Sequence, residues 1–386
     1  MELEINLLNT GTENLIPVKK DMKYISSYPT ILLLISLFYS LPSFQFIFFQ
    51  IHEKNIHCYY NHKCKHDLGG IPAFNNIISN ISYILFGFMF IIHTIIKTYN
   101  KYNKKNGVND NPYLLCSAGL TLILEGIFSA MYHTCPSRLN FQFDSTFMFI
   151  GISIMTLCLY QKRNFENIPS PAKTFSLLSI AIFANLLPLV DISNGNENWF
   201  WILNFLGILY IMLSASIKFW LDYSLIEFIK NVNFQKIKEK KEKLIVVVIS
   251  NIVTISMIIY GSVNKPSFTI WLLSILISNF SIYLIYYLMN KIYFKEKISK
   301  VWWITLFLSI ITIITSFIFF KIQVKNIDLS PNDSKKLNKN CILFNYWDSH
   351  DLWHFLSSFG IFLLLELILN IDNSEIHKDR KTIPTF

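Results

Sequence analysis

Ten stretches of mostly apolar residues, separated by short polar segments, dominate the chain: 29–51, 72–96, 112–133, 141–160, 173–191, 198–220, 244–262, 267–289, 301–320 and 349–370. A helix needs roughly 20 apolar residues to cross the hydrocarbon core of a bilayer, so each stretch has the length of one membrane span. The pattern predicts an all-α, polytopic transmembrane helical bundle of about 10 spans. The membrane domain would cover 29–371, flanked by tails at 1–28 and 372–386. No cleavable leader is expected. The first 25 residues are polar, with Glu2, Glu4, Lys19, Lys20 and Lys23, and the first apolar run opens only near Pro29.

Composition agrees. Hydrophobic residues make up 52% of the 386 and charged residues 15%, whereas soluble domains are about a quarter charged. An ordinary soluble domain is excluded. The net charge of +9 invites an anionic partner until the cations are located. With loops alternating across the membrane, 24 of the 34 Lys and Arg fall on the N-terminal side and 10 on the other. Short loops rich in Lys and Arg stay inside, so both termini are expected in the cytosol, at the plasma membrane or an endolysosomal membrane. The run KIKEKKEK within Lys230–Lys243 then reads as a solvated juxtamembrane helix. Asn332, in an Asn-Asp-Ser sequon of the long outer loop, is open to glycosylation.

Cys58, Cys64, Cys135 and Cys341 lie in outer loops or at their edges, while Cys116 and Cys158 lie in spans. Four cysteines on the oxidising side permit two disulfides in three pairings. A Cys135–Cys341 bridge would staple the third span's outer end to the approach of the tenth. His52, His57, His62 and His66 interleave with Cys58 and Cys64 at spacings that match no zinc motif, and read as a disulfide loop with solvated histidines.

Ionisable residues inside spans are expensive, and here they gather at the outer ends. The third span closes with Glu125, Ser129 and His133 at a spacing of four, on one stripe of a helix. Asp144 opens the fourth span. The tenth opens with Asp348-Ser-His350-Asp-Leu-Trp-His354, its histidines again four apart. Alternation of spans brings all three segments to one membrane face. Three histidines suit a zinc ion with one position left for water, whose pKa falls to about 7. Asp144 completes the set, as a fourth ligand or as the group that orients and deprotonates the water, and Ser129 is a donor to an oxyanion. Glu125 reads as a supporting group or a protonated interior carboxyl. Trp199, Trp201, Trp302 and Trp303 read as interface anchors.

At YHTCPSRLNFQFDSTFMFI, NCILFNYWDSHDLWHFLSS, FNNIISNISYILFG and CYYNHKC the sequence resembles the systemic-RNA-interference-defective (SID) transmembrane family, over most of the chain after about residue 30. That family is similar in turn to alkaline ceramidases and progestin/adiponectin receptors. The resemblance implies zinc on His133, His350 and His354, with Asp144 and Ser129 completing the site. It also implies an association with passage of double-stranded RNA, with cholesterol and, by analogy, with hydrolysis of lipid amides or esters. The long β-rich ectodomain of the animal members is missing from the sequence, which weakens the expectation of RNA recognition. Three functions therefore compete: a zinc hydrolase acting on a lipid amide or ester at the outer membrane surface; a double-stranded RNA transporter; and a receptor-like or structural protein whose zinc only ties helices together. The partners to expect are membrane lipids, sterol or ceramide among them, double-stranded RNA, and further copies in a homo-oligomer.

Overall fold

The computed structural model describes residues 27–52, 58–98, 106–137, 140–164, 170–186, 198–230, 240–322 and 324–386. The N-terminal tail up to residue 26, His57 and the first half of KIKEKKEK lie outside the described residues.

Helices follow the apolar runs: α1 (Ser27–His52), α2 (Phe74–Ile78), α3 (Ile81–Thr98), α4 (Pro112–Thr134), α5 (Phe141–Arg163), α6 (Pro171–Leu186), α7 (Asn198–Leu221), α8 (Leu225–Lys230), α9 (Lys241–Asn264), α10 (Phe268–Tyr293), α11 (Lys300–Lys321), α12 (Pro331–Lys336) and α13 (Ser349–Asn370). Among the described residues nine segments are long and apolar enough to cross a membrane, with α2 and α3 together forming one. The fifth expected span begins as α6, and its continuation lies outside the described residues. The chain is a multi-pass integral membrane protein.

The second span is broken at Ser79–Asn80, where Ser79 Oγ and Asn80 Nδ2 both donate to the Asn76 carbonyl. Side chains that compete for backbone acceptors interrupt a helix in this way. Glycines let α3 and α4 approach closely: a Cβ on Gly87 would fall 2.7 Å from the Gly119 carbonyl oxygen, and one on Gly119 would fall 2.7 Å from Ile91 Cγ1. In lipid, where apolar burial drives helix association little, such small-residue contacts are what bring backbones together. One core joins α1, α3, α4, α5, α10 and α13 around Phe90, Phe147 and Tyr287. A second joins α5, α7, α9 and α10 around Trp201, Phe268 and Trp271.

Two of the four tryptophans depart from the anchor reading. Trp199 and Trp303 are exposed, but Trp201 is buried against Trp271, and Trp302 is buried with its indole donating to the Leu367 carbonyl. Indole carries a donor that finds a partner when helices enclose it.

The bundle has two chemically distinct ends. At one, Arg163, Lys291, Glu296 and Asp372 form a buried ion network. These four residues lie just beyond the bounds expected for the spans, 141–160, 267–289 and 349–370. Residues 372–386 return across this end, and the Arg163 guanidinium lies 4.9 Å from the Phe386 ring centre. At the other end stand the histidines and the disulfides.

Asn332 is exposed on α12. In a eukaryotic host its glycan is expected as an endoglycosidase-sensitive mass shift, while tags on both termini react only from the cytosol. Tags accessible from outside intact cells would reverse the assigned orientation.

Candidate metal centre

Each functional side chain is placed by a helix end. Asn111 caps α4, accepting from the amides of Tyr113 and Leu114 ahead of an N-terminal proline, which sets where the helix starts and brings His133 to its last turn. Asp348 caps α13 and shares a capping box with Asp351. That turn is held from outside as well: Asn75 and Asn76 donate to Asp351 at 3.0 and 2.8 Å, and Asn61 donates to Asp348 at 3.0 Å. His350 and His354, one turn apart on α13, therefore face α4 from a clamped helix start.

The three imidazoles meet. Ring centres are 5.0 Å apart for His133–His350 and His133–His354 and 4.6 Å for His350–His354. One nitrogen from each lies within 4.8 Å of the other two. His133 Nε2 and His350 Nε2 are 3.3 Å apart.

Ser79 Oγ stands between two partners, 2.9 Å from the Asn76 carbonyl oxygen and 2.8 Å from His354 Nδ1. With its single proton on the carbonyl it accepts from Nδ1–H, and in that tautomer the Nε2 lone pair is free. That Nε2 is buried and has no partner in the protein. Three more buried atoms nearby share the condition: Ser129 Oγ, Asp144 Oδ1 and Glu125 Oε2. Ser129 stands beside the Asp144 carboxyl without making a hydrogen bond of normal geometry to it. Each unsatisfied buried group costs about 1–3 kcal/mol, so buried polar atoms without a protein partner ask for one from outside the chain. The donor set fits zinc: three neutral imidazole nitrogens, one of them oriented by an outer hydrogen bond.

Asp144, expected among the ligands, stands outside the set of mutually close ligand atoms.

Lys325, which the sequence did not single out, lies 3.5 Å from His133 Nδ1 and 5.7 Å from the Tyr132 ring centre. Desolvation lowers its pKa, opposed by the charges of Asp348, Asp144 and Asp351. It comes from a loop with no helical periodicity to flag it.

A profile of the family described as dsRNA-gated channel SID-1 matches residues 6–386. The chain belongs to this family. The match begins closer to the N-terminus than the quoted motifs suggested. Among similar proteins are SID1 transmembrane family member 1 of Homo sapiens, 27% identical over 95% of this chain and 48% of the relative, and that of Mus musculus, 26% identical with the same coverage. Cholesterol uptake protein 1 of Caenorhabditis elegans is 29% identical over 95% of this chain and 52% of the relative. The chain thus spans about half the length of these curated relatives.

The segments that carry the family resemblance are those that build the pocket. FNNIISN supplies Asn75, Asn76 and Ser79. CYYNHKC supplies Asn61 and one half of each disulfide, Cys58–Cys135 and Cys64–Cys341. Neither the Cys135–Cys341 staple nor a disulfide closed within the first outer loop is formed. The first outer loop is instead tied separately to the ends of α4 and α13, because its fold over the pocket brings Cys58 and Cys64 to different partners. His62 is solvated as expected, but His66 stacks on Tyr346 at 4.6 Å, with Nε2 3.6 Å from Cys341 Sγ. The Cys64–His66–Cys341 group is not a metal site in this state, since both sulfurs are spent on the disulfide.

Under denaturing, non-reducing conditions maleimide is expected to label only Cys116 and Cys158, the free thiols. Cys58→Ser should release Cys135 and not Cys341. Release of Cys341 would show a different pairing.

Proposed function

We propose that this protein is a zinc-dependent hydrolase of lipid amide or ester bonds, with the ion held by His133, His350 and His354 at one face of the bilayer. One observation carries the reading: His354 Nε2 is buried without a protein partner, on a ring that clusters with two further imidazoles. A purely structural zinc site would close its fourth position with a protein ligand, and Asp144 stands outside the close set.

When bound, zinc supplies Lewis acidity and a water acidic enough to attack at neutral pH. The chain's own groups do the rest. Asp144 takes the proton that water loses and returns it to the leaving amine or alcohol. Ser129 Oγ donates to the oxygen that becomes negative as the carbonyl is attacked. The Ser79–Asn76 relay keeps His354 in the tautomer that offers Nε2. The disulfides hold the loops against the pocket.

The test is turnover of a ceramide, sterol ester and phospholipid panel with and without chelator. Asp144→Asn should keep zinc and lose hydrolysis. Ser129→Ala should keep zinc and slow hydrolysis about 10²-fold. An Asp144→Asn variant as active as the wild type would overturn the assignment.

A second reading, passage of double-stranded RNA, is favoured by the family match across residues 6–386. Exposed Lys63, Lys335 and Lys339 provide cations near the pocket. Backbone recognition would make binding fall steeply with salt, a dependence to be measured on the same preparation, together with sterol binding and the assembly of copies into a homo-oligomer. RNA binding with normal salt dependence and no turnover of any lipid would select this reading.

A further inference from the structure

At the end of the bundle opposite the histidines, α11 begins where α13 finishes, and a groove of about 360 Å³ lies between them. Its walls are apolar at Val301, Trp302 and Leu363, and Val301 is 71% exposed on the lipid-facing surface. On the groove's floor lies Glu366, a carboxylate on a membrane-spanning helix, its side chain 14% exposed. Ionisable groups at such positions mark binding or transport sites by default.

The groove has two electrical poles. Glu366 is the negative one. Its Oε1 accepts from His93 Nδ1 at 2.8 Å and its Oε2 from Asn370 Nδ2 at 3.1 Å, and each carboxylate oxygen can accept a further bond. The positive pole is the first turn of α11, where Ser299 Oγ takes the Trp302 amide and leaves those of Lys300 and Val301, with the Asn373 amide, one N–H of which donates to Asn370 Oδ1 at 3.0 Å, alongside. Amides of a first helical turn favour an anionic group. A ligand that satisfies both poles and stays at headgroup depth is a zwitterion with a lipid tail.

The chemistry of each pole narrows the headgroup. Glu366 asks for hydrogen-bond donors, which a primary ammonium has and a quaternary ammonium lacks. Choline recognition uses an aromatic cage, whereas the one ring here, Trp302, is buried and its N–H is committed to Leu367. A serine headgroup would bring a second carboxylate to Glu366, and a sterol hydroxyl would leave the α11 pole unused. We infer that this groove is a binding site for a phosphoethanolamine-headed membrane lipid, its ammonium on Glu366 and its phosphate at the start of α11. The site is separate from the metal centre and stands whether or not hydrolysis is found.

The test uses the full chain reconstituted in nanodiscs of equal phosphatidylethanolamine, phosphatidylcholine, phosphatidylserine and sterol. Retained lipid is quantified by mass spectrometry, and a photoactivatable phosphatidylethanolamine maps the contact. Phosphatidylethanolamine should be retained over phosphatidylcholine about tenfold, the value of one charge-assisted hydrogen bond, and should cross-link within 299–305 or 363–373. Glu366→Gln should abolish the preference. His93→Gln breaks the same ion pair but keeps the carboxylate, and should preserve it. If Glu366→Gln unfolds, Leu363→Trp, which fills the groove without touching the carboxylate, should remove the lipid instead. Equal retention of ethanolamine and choline lipids, displacement by sterol, or an unchanged preference in Glu366→Gln or in a folded Leu363→Trp variant would overturn the site.

Discussion

Alanine at His133, His350 or His354 is expected to strip zinc from the purified protein, each substitution alone being sufficient. The ligands come from two helices distant in sequence, and two imidazoles hold zinc far more weakly than three. The loss should be read by metal analysis after gel filtration, with the wild type at one zinc per chain. Ser79→Ala gives a graded result. It removes no ligand but frees His354 to adopt the other tautomer, and losing an outer-shell partner of this kind lowers metal affinity about 10–100-fold. Asn75→Ala and Asn76→Ala should act in the same direction through Asp351 and the first turn of α13. A wild-type protein without stoichiometric zinc would leave the histidines as a packing cluster. Ser79→Ala with unchanged affinity would remove the tautomer argument.

Arg163→Ala should unfold the opposite end of the molecule. Its guanidinium is fully buried, donating to Glu296 at 2.8 and 2.5 Å, to Asp372 and to the hydroxyl of Tyr287. Lys291 meets the same two carboxylates at 2.6 and 2.9 Å. Removing one partner of a buried ion network leaves uncompensated charge and costs about 3–5 kcal/mol. A large drop in unfolding temperature in detergent is expected, with Arg163→Lys intermediate because it keeps the charge and loses the bidentate geometry. Lys336→Ala, which breaks the exposed Lys336–Asp333 pair, should have no measurable effect. If Arg163→Ala melts like the Lys336 variant, the network is not a structural clasp.

The architecture was legible because apolar run length is a property of the chain alone. Runs such as 112–133 and 349–370 correspond to helices Pro112–Thr134 and Ser349–Asn370. The histidines were legible for a related reason: a spacing of four within one helix defines a shared face before any tertiary contact exists, and alternation of spans assigns the depth. The oxidising-side cysteines were recognisable by the same alternation. Their pairing was not, because it depends on how the first outer loop lies over the pocket, and every pairing satisfies the spacing equally.

Tertiary structure decided what distant residues do to one another. Asn75, Asn76 and Ser79 look like polar punctuation in a span, and acquire a role only when α2 packs beside the start of α13, about 275 residues later. Lys325 sits in a loop whose placement no periodicity dictates. Arg163 and Lys291 read as membrane-edge cations, because a positive charge at a span end is normally solvated. Only the packing of α5 against α10 and the C-terminal segment turns them inward onto Glu296 and Asp372. The sequence by itself determined which helices exist and which faces carry chemistry, since those follow from local geometry and transfer into lipid. Which side chains meet, and which are left without a partner until a ligand arrives, was decided by packing between segments that are far apart along the chain.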